Sequence, residues 1–370
     1  MHKSNETSVQ SETGTTVHIV NLLAPPGGIE TLVIDLLRQG DARLHAFSLH
    51  GTTEELPAQW RALAEVRGQF EAFNKRPGLR PGLVVRLARR LRALRAQVVV
   101  VHHAGPLVYG GAAARLAGVS QLVHVEHDVW HYERGRSQLL LKLCEHAFRP
   151  DHIAVSEAVA ARLASMIPDA RISVVPPGID TIRFLPRSAT PARASLGLDP
   201  SWRIIGTAGR LEAVKGHVFL IEAMRYLPRN AHAVIAGDGR ERAELEEAAR
   251  KVGVHDRVHF LGHRDNLEKI LPAFDVFCLP SLAEGLPRSV LEAQSCDLPV
   301  VATDVGSLRQ AVCPETGYLV RPSDPVALAN ALNRRLKHPS RAGLSRAFVE
   351  KQYALTKTLN AFRARSVSQP

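Results

Sequence analysis

The stretch Asp275-Val-Phe-Cys-Leu-Pro-Ser-Leu-Ala-Glu-Gly-Leu-Pro-Arg-Ser-Val-Leu-Glu-Ala-Gln294 decides the fold. The apolar run Val276 to Leu279 reads as a short buried strand. Gly285 and Pro287 then break the chain, and Ser289 to Gln294 resumes with helical composition. Proline is favoured in the first turn of a helix, so a helix begins near Pro287. Strand, tight loop and helix place the loop at the carboxyl end of a strand, where open α/β sheets bind ligands. Backbone N–H groups of a first helical turn have no intrahelical partners and suit an anion such as a phosphate. Glu284 precedes that helix and Glu292 lies inside it, so two carboxylates can reach one elongated ligand at different heights. On spacing alone, two solvated surface glutamates would look the same.

Outward from this stretch, the same alternation recurs. Thr16 to Leu23 is an apolar strand, and Gly27-Gly28 follows it at the opening of a helix carrying Leu32, Val33, Leu36 and Leu37. A glycine there allows close backbone approach to a ligand. It is not the dinucleotide fingerprint, because Thr31 stands where the third glycine is needed. Strands are expected at 44–49, 70–73, 97–103, 121–128 and 152–155, and helices at 56–66, 83–94, 107–116, 137–147 and 156–166, with Ser156 as an N-cap. Val174-Val-Pro-Pro-Gly-Ile-Asp180 breaks regular structure, and the proline-containing stretch to Pro200 separates two periodic regions. The pattern restarts at Arg203 to Leu211, with Arg210 and Lys215 on a strand-to-helix loop, and runs to a final helical stretch near Ala364. Repeating β-α units imply α/β architecture with doubly wound parallel sheets.

The chain has 370 residues, enough for two such domains, and an apolar fraction of 45% with 22% charged residues suits a globular protein. The boundaries expected are 1–15 as a disordered tail without the apolar core of a signal peptide, 16–177, 178–345, and a terminal segment 346–370. Four scattered cysteines form no C-x-x-C pair and fit a reducing compartment. The net charge is +11, and between Ala72 and Val125 there is no acid but nine Lys and Arg residues. No nucleic-acid motif and no aromatic interleaving accompany them, which excludes nucleic acid as a partner. Two readings of this span stay open: an anionic membrane surface reached through residues 80–95, or a solvated basic face.

Ser281, Glu284, Gly285, Pro287 and Glu292-Ala293, with seven residues between the glutamates, resemble the donor-site signature of retaining glycosyltransferases of family 4. Gly209-Arg-Leu-x-x-x-Lys-Gly216 resembles that family's diphosphate-binding loop, and Gly27-Gly-x-Glu30 its glycine loop. The resemblance spans roughly Val17 to Ala364. It implies the GT-B fold: two Rossmann-like domains facing a cleft, the first for the acceptor and the second for the nucleotide sugar, with the last helix crossing back to the first. It also implies residue roles. Arg210, Lys215 and the helix start at Gly285, Leu286 and Pro287 would hold the diphosphate. Glu284 would hold the sugar, Glu292 the ribose, His263 the base through its backbone, and Gly28 would face the phosphates. His127 would reach into the cleft; His103 and His124 are weaker candidates. Catalysis then falls to Glu284, His127, Arg210 and Lys215. Ser307 and Gln310 replace residues common in the family and receive no role.

The function this implies is transfer of a sugar from a nucleotide-diphosphate donor to an acceptor hydroxyl, without a metal or other cofactor. A lipid-linked glycan of bacterial polysaccharide or lipopolysaccharide synthesis is the expected acceptor, at the cytoplasmic membrane face. The alternatives are a soluble acceptor, a nucleotide-sugar epimerase of the same fold, a hydrolase using both glutamates, and a non-catalytic binder.

Overall fold

The structure, a computed structural model, describes residues 14–367 apart from 25–26, 41, 130–131, 133–134 and 339–340. Most of the tail expected over 1–15 therefore lies outside the described residues. Among the described residues, thirteen strands alternate with helices. The first sheet holds β1 (Thr15–Val20), β2 (Leu44–Ser48), β3 (Phe70–Ala72), β4 (Ala96–His102), β5 (Gln121–Glu126), β6 (Asp151–Ala154) and β7 (Ile172–Val174). The second holds β8 (Arg203–Ala208), β9 (Ala231–Ala236), β10 (Val258–Gly262), β11 (Val276–Leu279), β12 (Val300–Thr303) and β13 (Tyr318–Val320). Every pairing between these strands is parallel, in the orders β3-β2-β1-β4-β5-β6-β7 and β10-β9-β8-β11-β12-β13. Val98 to Val101 of β4 are buried on both faces, as a central parallel strand requires.

The order reverses between β1 and β4 in the first sheet and between β8 and β11 in the second. Loops leaving adjacent strands diverge at such switch points and open a crevice at the carboxyl ends. The glycine loop leaves β1, the Arg210–Lys215 loop leaves β8 and the Glu284 loop leaves β11, so topology alone gathers the signature residues.

Three expectations change in detail. The helix read over 56–66 is two short turns, Leu56–Gln59 and Ala62–Glu65, because Trp60 adopts an extended backbone and turns into the core. The proline-containing connector is not wholly irregular: it holds the helix Ala189–Ser195, while β7 adds a three-residue edge strand before it. The terminal stretch is two helices, Leu344–Tyr353 and Leu355–Val367. The break between them bonds to the connector, Ile179 N–H donating to Tyr353 O at 2.7 Å and Leu355 N–H to Ile179 O at 2.9 Å. From there the last helix crosses to the first domain. Thr358 Oγ1 donates to Pro176 O at 3.0 Å, and Phe362 packs in a T-shape with His18. No described helix is long and apolar enough to span a membrane.

Candidate functional site between the sheets

The two sets of loops enclose a cleft of about 1120 Å³. Its floor on the second domain is made where two loops touch backbone to backbone. Gly216 sits at φ 61°, and a Cβ there would lie 2.2 Å from Pro280 O. That close approach, with Leu282 N–H donating to Val214 O at 2.8 Å, fixes the β8 loop against the β11 loop. Lys215 is thereby delivered onto Glu284: its Nζ lies 2.7 and 3.0 Å from the two carboxylate oxygens. Ser281 Oγ donates to the same carboxylate at 2.6 Å, and the Glu284 side chain is 4% exposed. The pair spans 69 residues of sequence.

Beyond Glu284 the helix Arg288–Ser295 begins, with Pro287 as its N-cap and Leu286, Pro287 and Ser289 lining the cleft. Its first-turn N–H groups carry the positive end of the helix dipole. Glu292, one turn further, is buried with its carboxylate 3.6 Å from Arg288 Nη2. Burial pushes its pKa up, and Arg288 pulls against that shift.

Arg210 lines the cleft, but its guanidinium rests on Glu212 at 3.0 Å and is half exposed, so it does not converge with Lys215 in this state. Gly28 opens the helix Gly28–Gln39 on the opposite wall. His263 lies at the rim, with Nε2 2.7 Å from Asp265 Oδ1. His127 lines the first-domain wall, its Nε2 3.0 Å from His102 Nδ1. Burial, with the neighbouring His103, holds it well below the ordinary histidine range. His103 contacts Glu126, whose buried carboxylate also accepts from Tyr132 Oη at 2.6 Å.

Two features were missed from the sequence. Asp35, fully buried on the Gly28–Gln39 helix, accepts from Arg288 Nη2 at 2.5 Å, while Arg183 of the connector lies 3.5 Å away and holds Glu268 at 2.9 Å. This network of charges joins both domains beneath the cleft. The signal was one acid amid Val33, Ile34, Leu36 and Leu37. The second is Gly285, whose Cβ position lies 2.0 Å from His127 O, so the signature loop seats backbone against backbone on the first domain. Ser307, left without a role, donates to Ser156 Oγ at 2.6 Å across the same interface.

Comparison with known proteins now places the chain. Residues 26–183 match the family model Glycosyltransferase Family 4, and residues 203–338 match Glycosyl transferases group 1. The chain belongs to the family 4 glycosyltransferases. The chain is 40% identical over 170 residues to D-inositol 3-phosphate glycosyltransferase of Mycolicibacterium gilvum, a match covering 44% of the chain and 38% of that protein. The matched part thus spans well under half of that relative. It is 29% identical over 275 residues to an Escherichia coli UDP-Gal:alpha-D-GlcNAc-diphosphoundecaprenol alpha-1,3-galactosyltransferase, covering 68% and 69% of the two chains. The crystal structure of Anabaena Alr3699/HepE in complex with UDP and glucose superposes with a TM-score of 0.83 at 23% identity, over 96% of this chain and 99% of that one. That likeness establishes the fold, two parallel-sheet domains in the GT-B arrangement.

Proposed function

We propose that this protein is a retaining, metal-independent glycosyltransferase that moves a sugar from a nucleoside diphosphate onto a hydroxyl of a lipid-linked glycan. The observation that carries the reading is the Lys215–Glu284 pair set beneath a helix start, inside a cleft shared by both domains. An ammonium has three N–H donors; Glu284 takes two and one remains for a phosphate oxygen. Neutralising Glu284 also keeps its charge from repelling the diphosphate. As the glycosidic bond loosens, negative charge gathers on the leaving phosphate, where Lys215, Arg210 swung off Glu212, and the helix start would stabilise it. The positive charge developing on the sugar falls beside Glu284. HepE, named in complex with UDP and glucose, and the E. coli relative, named for a diphosphoundecaprenol acceptor, support the donor and acceptor classes.

The two glutamates should separate by ligand. Glu292→Gln should weaken binding of the free nucleoside diphosphate by about 10-fold, the worth of one hydrogen bond to a charged group. Glu284→Gln should leave that binding intact while lowering turnover of the intact donor by at least as much. Calorimetry with both ligands decides, and equal losses for both would refute the division of labour.

A membrane-facing site of action at the cytoplasmic surface completes the reading, with its surface redrawn. In the helix Pro81–Ala93, Leu83, Leu87 and Leu91 are 5%, 0% and 0% exposed, so they pack on the sheet and cannot insert. Arg90 is tied to Glu71 at 2.5 Å and Arg92 to Leu116 O, which leaves Arg86, Arg89 and Arg95 as the more accessible cations. Exposed apolar groups accompany them: Leu79 just before this helix and Val85 on it are 75% and 41% exposed, and on the helix Gly135–Phe148 Leu139 and Leu143, 59% and 57% exposed, flank Lys142. An anionic bilayer matches this mixture, each surface cation contributing about 1 kcal/mol. Binding to vesicles containing anionic lipid should fall with salt. It should drop at least 10-fold when Arg86, Arg89 and Lys142 become Gln. Equal binding to neutral vesicles, or none to anionic ones at low salt, would point to a soluble acceptor.

A further inference from the structure

Behind His127 the first sheet carries a row of imidazoles that lies outside the cleft. His18 on β1 stands opposite Val100, and His102 on β4 stands opposite Val125. Residues two apart on a strand share a face, so His18, His102 and His127 point to the same side from neighbouring strands. They join end to end. His18 Nδ1 lies 3.0 Å from His102 Nε2, and His102 Nδ1 lies 3.0 Å from His127 Nε2. The first two rings are fully or almost fully buried, under the helix Leu355–Val367 at the His18 end.

A neutral imidazole has one N–H and one lone pair, so a chain of neutral rings must run in a single direction. Burial lowers His18 to about 4 and holds His102 and His127 well below the ordinary range, so all three are neutral near pH 7. Of the groups acting on His127, His103, His124 and Arg288 add to this and Glu126 opposes it. The far end sets the direction. His18 Nε2 is buried and has no hydrogen-bond partner among the described residues. A buried N–H without an acceptor is rarer than a buried acceptor without a donor, so Nε2 is the bare nitrogen and Nδ1 carries the proton. His18 Nδ1–H then donates to His102 Nε2, and His102 Nδ1–H donates to His127 Nε2. The last ring is left with its proton on Nδ1, the nitrogen that takes no part in the chain.

We propose that His18 and His102 are positioning residues that lock His127 in its Nδ1–H tautomer, so that it presents a donor to an oxygen of the transferred sugar. This rests on the cleft being a donor-sugar site. The chain of tautomers follows a general rule, that the partner of one ring nitrogen decides what the other does.

The first test needs no variant and no substrate. Nitrogen-15 NMR of the histidine side chains distinguishes a protonated ring nitrogen from a bare one. His127 should show a protonated Nδ1 and a bare Nε2; the reverse assignment, or a charged ring near pH 7, would overturn the proposal whatever the enzyme's substrate. The second compares variants. His102→Leu removes the donor to His127 and should lower kcat for sugar transfer at least 10-fold, with affinity for the free nucleoside diphosphate unchanged. His102→Asn keeps an N–H at the Nδ1 position and should recover most of that loss. An unchanged kcat in His102→Leu, or an equal loss in a folded His102→Asn, would sink the positioning role.

Discussion

Replacing Lys215 with Ala should lower kcat for sugar transfer by 100-fold or more. Loss of one preorganised charge donor at a developing oxyanion typically costs ~3 kcal/mol of barrier, which is about 100-fold in rate. A second effect acts in the same variant. The Glu284 side chain is 4% exposed, and among the described residues Ser281 Oγ would remain as its one side-chain hydrogen-bond partner. Its uncompensated charge would then face the donor diphosphate and repel it. Folding stability should fall less than activity, by about 1–3 kcal/mol, because Lys215 is itself 19% exposed and water can replace it. Arg210→Ala should cost at least 10-fold in kcat with almost no effect on stability, since its guanidinium pairs with Glu212 at an exposed site. Steady-state kinetics beside denaturant melts would check both. Near-normal turnover in folded Lys215→Ala would remove the diphosphate clamp from the account.

Gly285→Ala should be nearly as damaging, for a different reason. The added methyl would sit 2.0 Å from His127 O, a backbone atom with no rotamer to change. Relief requires the signature loop and the first domain to separate by about 1 Å or more, and misplacement on that scale can cost about 100-fold in rate. Nucleoside diphosphate binding, assigned in the proposed function to Lys215, Arg210 and the helix start of the second domain, should change by less than threefold. Gly82→Ala is the control: its Cβ position meets nothing within 4 Å, and the helix should gain slightly in stability. A Gly285→Ala enzyme with normal kcat would mean that the loop and His127 need not touch during transfer.

Much of this was legible from residues in order. Both sheets announce themselves through short apolar runs punctuated by Gly and Pro, and the carboxyl-end loops carry their charges in local motifs. Gly209 to Gly216 and Ser281 to Ala293 could be picked out because each lies within one strand–loop–helix unit. What joins units was hidden. Nothing in the spacing says that Gly216 touches Pro280, and so nothing says that Lys215 neutralises Glu284 instead of standing free beside Arg210. Asp35 was passed over as one polar position on an apolar helix, although a lone acid on a buried face needs a partner and finds Arg288. The histidine row was half visible. His18 and His102 are strand residues, but which ring meets which depends on a register fixed only by pairing β1 with β4 and β4 with β5. Around Trp60 helical composition misled, because burying that side chain outweighed one more turn of helix.

The most direct test of the central claim is product analysis after incubation with uridine, guanosine and adenosine diphosphate sugars, a polyprenyl-diphosphate-linked sugar as acceptor, and a chelator. One donor should be consumed, with one nucleoside diphosphate released for each sugar transferred. The new glycosidic bond should keep the donor's anomeric configuration, and chelation should not slow the reaction. An inverted linkage, an epimerised donor formed without acceptor, or free sugar as the main product would contradict the assignment.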